Sequence, residues 1–369
     1  MKITASKQAV LNGISIVSGA VPVNTTMPIQ KFILISASGG KITFTANDSD
    51  LGIETVVEGS IETAGIAAIE KGMFMEAVRK MPDGEMNIEV GEDFTMHIRN
   101  EEQKIDLSIK GNSGEDFTSL PDIEKEEPIE ISMLTFRDMV RQIIFSISTG
   151  NESNKVMSGV DCIIYGDYMR LTTLDGHRVS IRNVDFDKEY KKQEVIIPGK
   201  TLSEISKILQ PDAEKKVLIY ITESHISFEF ENTVAVSRLI YGSYINVDKM
   251  IKSEFQTSIK VDKKKLMECI DRSTLYSKEG NKKPVIIDVF DDELEIQVAA
   301  TYGGQDEHID IEKQGNDIRI GFNPKFILDA LKVIDDDEVS IYFINSISPL
   351  YIKDAEETYI YMILPINLN

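Results

Sequence analysis

The tetrapeptide Asp175-Gly176-His177-Arg178 sets an acid, a base and a cation side by side. These are the residue types that move protons and hold anions, but they need a nucleophile or a metal ligand within reach to make a reaction. The sequence supplies none. Cys162 and Cys269 are the only cysteines and form no CxxC, and His97, His225 and His308 stand in unrelated alternating or acidic segments. No Ser-His-Asp spacing, metal-ligand spacing, phosphate loop or dinucleotide glycine fingerprint is visible. An Asp-Gly pair between two alternating apolar runs is also what a tight turn requires. The tetrapeptide therefore reads as a turn with a structural or binding role. No catalytic residue, metal or cofactor is expected.

The elements around that turn repeat. Residues 318–343, IRIGFNPKFILDALKVIDDDEVSIYF, read strand, helix, acidic turn, strand. Asn323 suits the N-cap and Pro324 the first helical position. Phe326, Ile327, Ala330, Leu331 and Ile334 recur at helical spacing. The same unit occurs at 195–221 and 67–90, with its leading lysine at Lys71, Lys200 and Lys325, spaced 129 and 125 residues apart. A second strand–helix unit opens at residues 1, 129 and 258, with Ser6 and Asp262 as N-caps, and Val10, Ile14 and Val17 or Leu266, Met267, Ile270 and Leu275 as apolar stripes. Equal long periods mean repeated domains. The expected fold class is α+β: three repeated domains, each with two helices and antiparallel sheets. The acidic runs near residues 125 and 253 place the domains at 1–125, 126–253 and 254–369.

With 42% hydrophobic residues in 369, the chain can bury real cores. No apolar run approaches membrane-spanning length, and the amino terminus turns polar at once, without a signal-peptide core. Two isolated cysteines fit a reducing, cytoplasmic setting. The net charge of −21 argues against nucleic acid if read as a whole, but its distribution does not. The six helical segments, 7–16, 71–80, 135–148, 200–210, 263–277 and 325–332, carry a net +8, leaving −29 on the remainder. Thr149, Asn151 and Asn154 follow the third helix as a polar loop. A helix is roughly 10 Å wide, so twelve in a circle leave a hole of roughly 28 Å, enough for a nucleic-acid duplex with a water layer. Six helices make half of that circle, so two chains are needed. A closed ring is held by topology, and a modest positive lining keeps the duplex centred and mobile.

The whole chain resembles the bacterial sliding clamp family, the beta subunits of DNA polymerase III. The residues that carry the resemblance are LDGHRVS (174–180), MPIQ (27–30), VIIPGK (195–200), IGFNPKFILDAL (320–331) and the terminal MILPINLN. The resemblance implies a non-catalytic processivity factor. It would encircle double-stranded DNA without regard to sequence as a head-to-tail homodimer, half a ring per chain. It would tether the DNA polymerase catalytic subunit, the clamp loader and other proteins that carry a clamp-binding peptide with Gln and Leu/Phe side chains. No membrane is involved.

By motif, the implied peptide pocket is Met157, Leu174, Gly176, His177, Arg178, Val179, Ile245, Lys249, Met250, Asn323, Phe326, Ile347, Met362, Leu364, Pro365 and Ile366. The flexible thioethers of Met157, Met250 and Met362 suit a groove that accepts several partners. Ile245, Leu364 and Asn367 depart from the family's usual proline, methionine and arginine, and Asn24 stands where a basic residue is common. The implied subunit contact joins one edge strand, with Lys104, Ile105 and Leu107, to another, with Leu275 and Tyr276; Lys104 would pair with Asp306 or Glu307 of the neighbour. Candidates for facing DNA are Lys7, Lys71, Arg79, Lys80, Arg137, Arg141, Lys200, Lys207, Lys263, Lys264, Arg272, Lys325 and Lys332. Two rivals remain at this point: an acidic repeat scaffold that binds proteins and never DNA, and an enzyme using the Asp175–His177–Arg178 turn.

Overall fold

Six α-helices occur among the described residues, which in this computed structural model are 1–149, 155–277, 284–301 and 303–368. Asn151 and Asn154 of the polar loop lie outside them. The helices are α1 (Lys7–Val17), α2 (Lys71–Lys80), α3 (Met133–Ile143), α4 (Gly199–Ile208), α5 (Lys263–Ser273) and α6 (Pro324–Leu331). Their starts follow local chemistry. Ser6, Asp262 and Asn323 each accept a bond from a first-turn N–H, as the sequence suggests. Glu70 does the same for α2 and the Ser132 hydroxyl for α3, two caps the pattern did not reveal. Each helix turns its stripe inward: Val10, Ile14 and Val17 on α1, Leu266, Cys269 and Ile270 on α5, Ile327, Leu328 and Leu331 on α6. Each buried Leu or Ile contributes about 1.5–3 kcal/mol.

One stripe differs from expectation. Leu275 is 57% exposed, because α5 ends at Ser273 and the chain continues as a 3-10 turn, Thr274–Ser277. The tighter winding moves Leu275 off the buried face.

The sheets are antiparallel throughout, and the chain divides into two compact units, residues 1–137 with 200–239 and residues 138–199 with 240–369. The first unit holds two sheets. One has five strands, in the order Ser60–Thr63, Lys2–Ser6, Glu85–Val90, Thr95–Asn100, Ile105–Lys110. The other has eight: Ile129–Ser132, Lys216–Ile221, His225–Phe230, Thr233–Arg238, Leu51–Val57, Lys41–Asn47, Phe32–Ser38, Gly65–Glu70. α1 packs beside α2 and against Leu51–Val57. It lies so close that a Cβ on Gly13 would sit 2.5 Å from the Val57 side chain.

The second unit also holds two sheets. Seven strands run Gly159–Leu174, Arg178–Pro198, Tyr359–Ile363, Leu350–Lys353, Glu338–Phe343, Thr257–Asp262, Glu312–Gly315. Four run Gly303–Asp310, Glu293–Ala300, Val285–Phe290, Ile318–Phe322, and α5 packs beside α6. The cut between the units passes through the middle sequence repeat. Its strands join its neighbours' strands edge to edge: Thr233–Arg238 pairs with Leu51–Val57 in one unit, and Arg178–Pro198 with Tyr359–Ile363 in the other. The sheets, not the repeats, are the packing units.

Candidate functional site

The Asp175–Arg178 turn joins the two long strands of the second unit and is built as its sequence suggests. Gly176 adopts φ +85°, open to glycine and strained for other residues. Asp175 Oδ1 accepts from the backbone N–H groups of His177 and Arg178 at 3.0 and 3.1 Å. Its second oxygen accepts from Arg178 Nε at 2.9 Å. Asp175 is thereby spent on the turn.

Arg178 is spent as well. Its side chain is 8% exposed, and its two terminal nitrogens donate to Asp329 Oδ2 (2.8 Å) and to the Phe145 carbonyl (2.7 Å). The guanidinium lies over the rings of Phe326 and Phe145, at 4.6 and 5.2 Å from their centres. A buried cation with every side of its fork engaged is a strut, with nothing left for a substrate. His177 lies exposed, stacked on Phe326 at 5.9 Å. Acid, base and cation are thus held apart in purpose, and the catalytic reading loses its site.

Next to this strut in the chain lies an apolar cluster. Leu174, Val179 and Met362 are buried in one cluster with Val247 and Tyr351, and Met157 packs against it. Val179 pairs with Met362 across the sheet. The carboxy-terminal segment is pinned on both sides: Leu364 N donates to the His177 carbonyl and Ile366 N to Gly321. Leu364, Pro365 and Ile366 are half-buried there. Phe326 follows Asn323, whose side chain is engaged as the α6 cap. On the 240–256 segment Met250 (39%), Ile245 (44%) and Lys249 are exposed. Met250 is fixed by its carbonyl, which accepts from the Tyr351 hydroxyl at 3.0 Å, and it lines a cavity of about 500 Å³ with Ile251, Ile344 and Pro349.

The structure thus brings most of the residues expected in the pocket near one another and leaves two apart. Ile347 stands 82% exposed in the loop after Glu338–Phe343, and Ile245 faces a second, more polar cavity beside Tyr244 and Val247. Sequence reasoning missed Phe145, Asp329, Val247 and Tyr351. Asp329 reads as a solvent-facing helix residue, and only the fold shows its carboxylate meeting Arg178.

The basic helix residues divide into two groups. Lys7 pairs with Asp83 (3.1 Å), Arg79 with Glu76 (3.3 Å), Lys207 with Glu204 (2.7 Å), Lys200 with Asp48, and Arg141 with Asp138 and Asp335 (3.2 and 2.6 Å). Arg272 grips Glu307 with two bonds of 2.5 and 2.6 Å, which hold the Glu307 carboxyl below its ordinary range. Lys263 donates to the Ile334 carbonyl. Lys71, Lys80, Arg137, Lys264, Lys325 and Lys332 make no ion pair among the described residues. Asn24 is exposed.

Ile105–Lys110 and Gly303–Asp310 are among the strands that end a sheet, each free on one flank among the described residues. Ile105–Lys110 pairs only with Thr95–Asn100, and Gly303–Asp310 only with Glu293–Ala300. Ile105 and Leu107 are half-buried on the first, with Lys104 exposed at its start. Asp306 and Glu307 lie on the second, whose sequence GGQDEHID has no apolar alternation and was invisible as a strand. Tyr276 approaches Gly303 there. Cross-strand pairing also sets His308 beside Glu293, Asp306 and Glu295, at 3.1, 3.6 and 3.9 Å. It is a cluster of one histidine and three carboxylates gathered from two strands.

Three family models match the chain in order: the DNA polymerase III beta subunit N-terminal domain over residues 1–121, its central domain over 130–246 and its C-terminal domain over 248–367. The beta sliding clamp of Bacillus subtilis (strain 168) is 32% identical over 379 aligned positions, covering 99% of each chain. The crystal structure of a putative DNA polymerase III beta subunit from Eubacterium rectale superposes with a TM-score of 0.94, at 46% identity and with all of both chains covered. That of the DNA polymerase sliding clamp from Bacillus subtilis also reaches 0.94, at 31% identity and full coverage.

Proposed function

The chain belongs to the DNA polymerase III beta subunit family, the sliding clamps, and from that premise we propose that two copies close head to tail around double-stranded DNA. It is a processivity factor; nucleotidyl transfer belongs to the polymerase it serves. The observation that carries the reading is the tiling of the whole chain by the three beta-subunit domains in order. No helix among the described residues is long and apolar enough to cross a membrane, and we place the protein in the cytoplasm.

On this reading the chain consists of three clamp domains, 1–125, 126–253 and 254–369. The half-free strands Ile105–Lys110 and Gly303–Asp310 meet across subunits and extend one sheet into the next, removing two exposed edges at once. Ile105, Leu107, Leu275 and Tyr276 supply apolar area, and Lys104 meets Asp306, since Glu307 is already held by Arg272. The basic helix residues hold the duplex loosely through phosphates and read no bases. The six that make no ion pair among the described residues, Lys71, Lys80, Arg137, Lys264, Lys325 and Lys332, contribute most.

The groove around Leu174, Val179 and Met362 takes the short peptide of the polymerase catalytic subunit, the clamp loader and other clamp-binding proteins, one at a time. The peptide's apolar side chains enter the cluster, and its glutamine meets His177 and Asn323. Arg178 holds the wall in place.

Retention on DNA is the test. The chain, loaded on nicked circular DNA, should stay bound through gel filtration and be released when the circle is cut, because only a ring slides off an end. Equal loss from circle and line, or a single subunit at every concentration, would overturn the reading in favour of an acidic scaffold.

A further inference from the structure

Beside the peptide groove lies a second cavity, of about 470 Å³, on the outward face of the bent strand Gly159–Leu174. Asp161, Tyr165, Tyr168, Arg170 and Thr172 line it from that strand, Glu194 from the next, and Tyr244 to Asp248 from the segment that closes it. The strand bends because its register slips on both sides of Gly166, at φ +60°. The bulge brings residues from its two limbs to one hollow.

The charges here do not close. Arg170 pairs with Asp248 at 2.6 Å, and Lys192 with Glu194 at 3.7 Å. That leaves Asp161, which is 93% buried and whose Oδ1 meets no hydrogen-bond partner among the described residues. Thr172 Oγ1 and Arg170 Nε are buried and without partners in the same sense. Native interiors pair such groups, because each one left alone costs about 1–3 kcal/mol. Three orphans lining one cavity mark a place shaped for something else. Burial first, then Glu194 and Asp248 against the opposing pull of Arg170, pushes the Asp161 carboxyl up to about 6. Tyr165 and Tyr168 stand edge to face at 6.5 Å on the open side, Tyr165 57% exposed. A carboxylate at the bottom and aromatic faces at the rim are the chemistry of a cation on an apolar stem.

We propose that this cavity is a subsite for a lysine or arginine side chain of the docked partner peptide, its cation on Asp161 and its stem between Tyr165 and Tyr168. The subsite rests on the peptide-groove reading above. Val247, buried in the cluster with Leu174 and Met362, also lines this cavity, as does Tyr244, which packs against that cluster, so the two adjoin. The Arg170 Nε–H and the Thr172 hydroxyl then serve the carbonyl oxygens of the incoming chain. The lone negative charge of the lining is offset on binding.

The test uses the full chain and labelled peptides built on glutamine, leucine and phenylalanine, extended at either end by lysine or by norleucine. A charge-assisted bond to Asp161 should make one lysine extension bind about tenfold tighter than its norleucine twin at pH 7.5. The gain should shrink below pH 6, as Asp161 takes up a proton. Asp161→Asn should abolish it while the unextended peptide binds as before. Arg170, Lys192, Glu194, Asp248 and Tyr244 also face Asp161, so the same pH series on the variant isolates its contribution. A lysine gain that survives in Asp161→Asn, or no gain at either end, overturns the subsite and leaves the groove standing. If the unextended peptide does not bind at all, the groove reading falls. The cavity is then decided by acetyl-lysine amide alone: NMR shifts at Tyr165 and Tyr168 that vanish in Asp161→Asn support it, and their absence refutes it.

Discussion

Arg178 and Asp161 sit on the same hairpin, and both are more than nine-tenths buried. Arg178 has two carboxylates, a carbonyl and two aromatic faces around it. Asp161 has an oxygen with no partner among the described residues, and its charged neighbours are already paired with one another, Arg170 with Asp248 and Lys192 with Glu194. The first is a charge that the fold has consumed, the second one that it has left available. Burial alone therefore says little about function; the state of the hydrogen bonds separates a strut from a receptor.

The largest expected effect comes from breaking the consumed charge. Arg178→Ala strands Asp175, Asp329 and the Phe145 carbonyl, and should cost about 3–5 kcal/mol of stability, read as a drop in the urea midpoint. Arg178→Lys keeps the charge without the fork and should recover only part of the loss. A cost under about 1 kcal/mol would erase the contrast between the two sites.

Asp161→Asn should do the reverse and stabilise the chain. The folded pKa of about 6 lies above the ordinary 3.8, so the folded state takes up its proton first as the pH falls. The penalty for the buried charge is fully present above pH 6 and gone below about 3.8. The variant's advantage, up to about 3 kcal/mol, should follow that course in thermal melts across pH. A pH-independent advantage would mean that packing, not charge, is what changed.

Smaller effects sharpen the comparison at the surface. Arg272→Ala breaks an exposed pair and should move subunit stability by less than about 1 kcal/mol in denaturant titrations. On the helices, Lys80→Gln removes a cation with no ion pair among the described residues and should lower the salt slope of DNA binding by about one. Lys207→Gln, whose charge Glu204 already offsets, should lower it less.

The legibility of the site follows the same division. Helix starts, the Asp175–Gly176 turn and the apolar stripes are local, and periodicity and cap chemistry reveal them from sequence. Resemblance supplied the groove residues, and the fold gathers Leu174, Val179, Met157 and Met362 around one core. The bracing of Arg178 by Asp329, 151 residues later, has no local signal. The strand Gly303–Asp310 lacks alternation because its polar residues stand on an edge. Asp161 was unremarkable in sequence because its significance is a missing partner, which only three dimensions disclose.

The continuous pairing of Thr233–Arg238 with Leu51–Val57 has a consequence for how this chain comes apart. A protease nick near residue 125 would not free the first repeat, because five cross-strand partners in that ladder still clasp it to residues from the middle one. Load applied along the ladder falls on many backbone amides at once instead of on a hinge. A chain assembled in this way resists tearing where its sequence repeats meet.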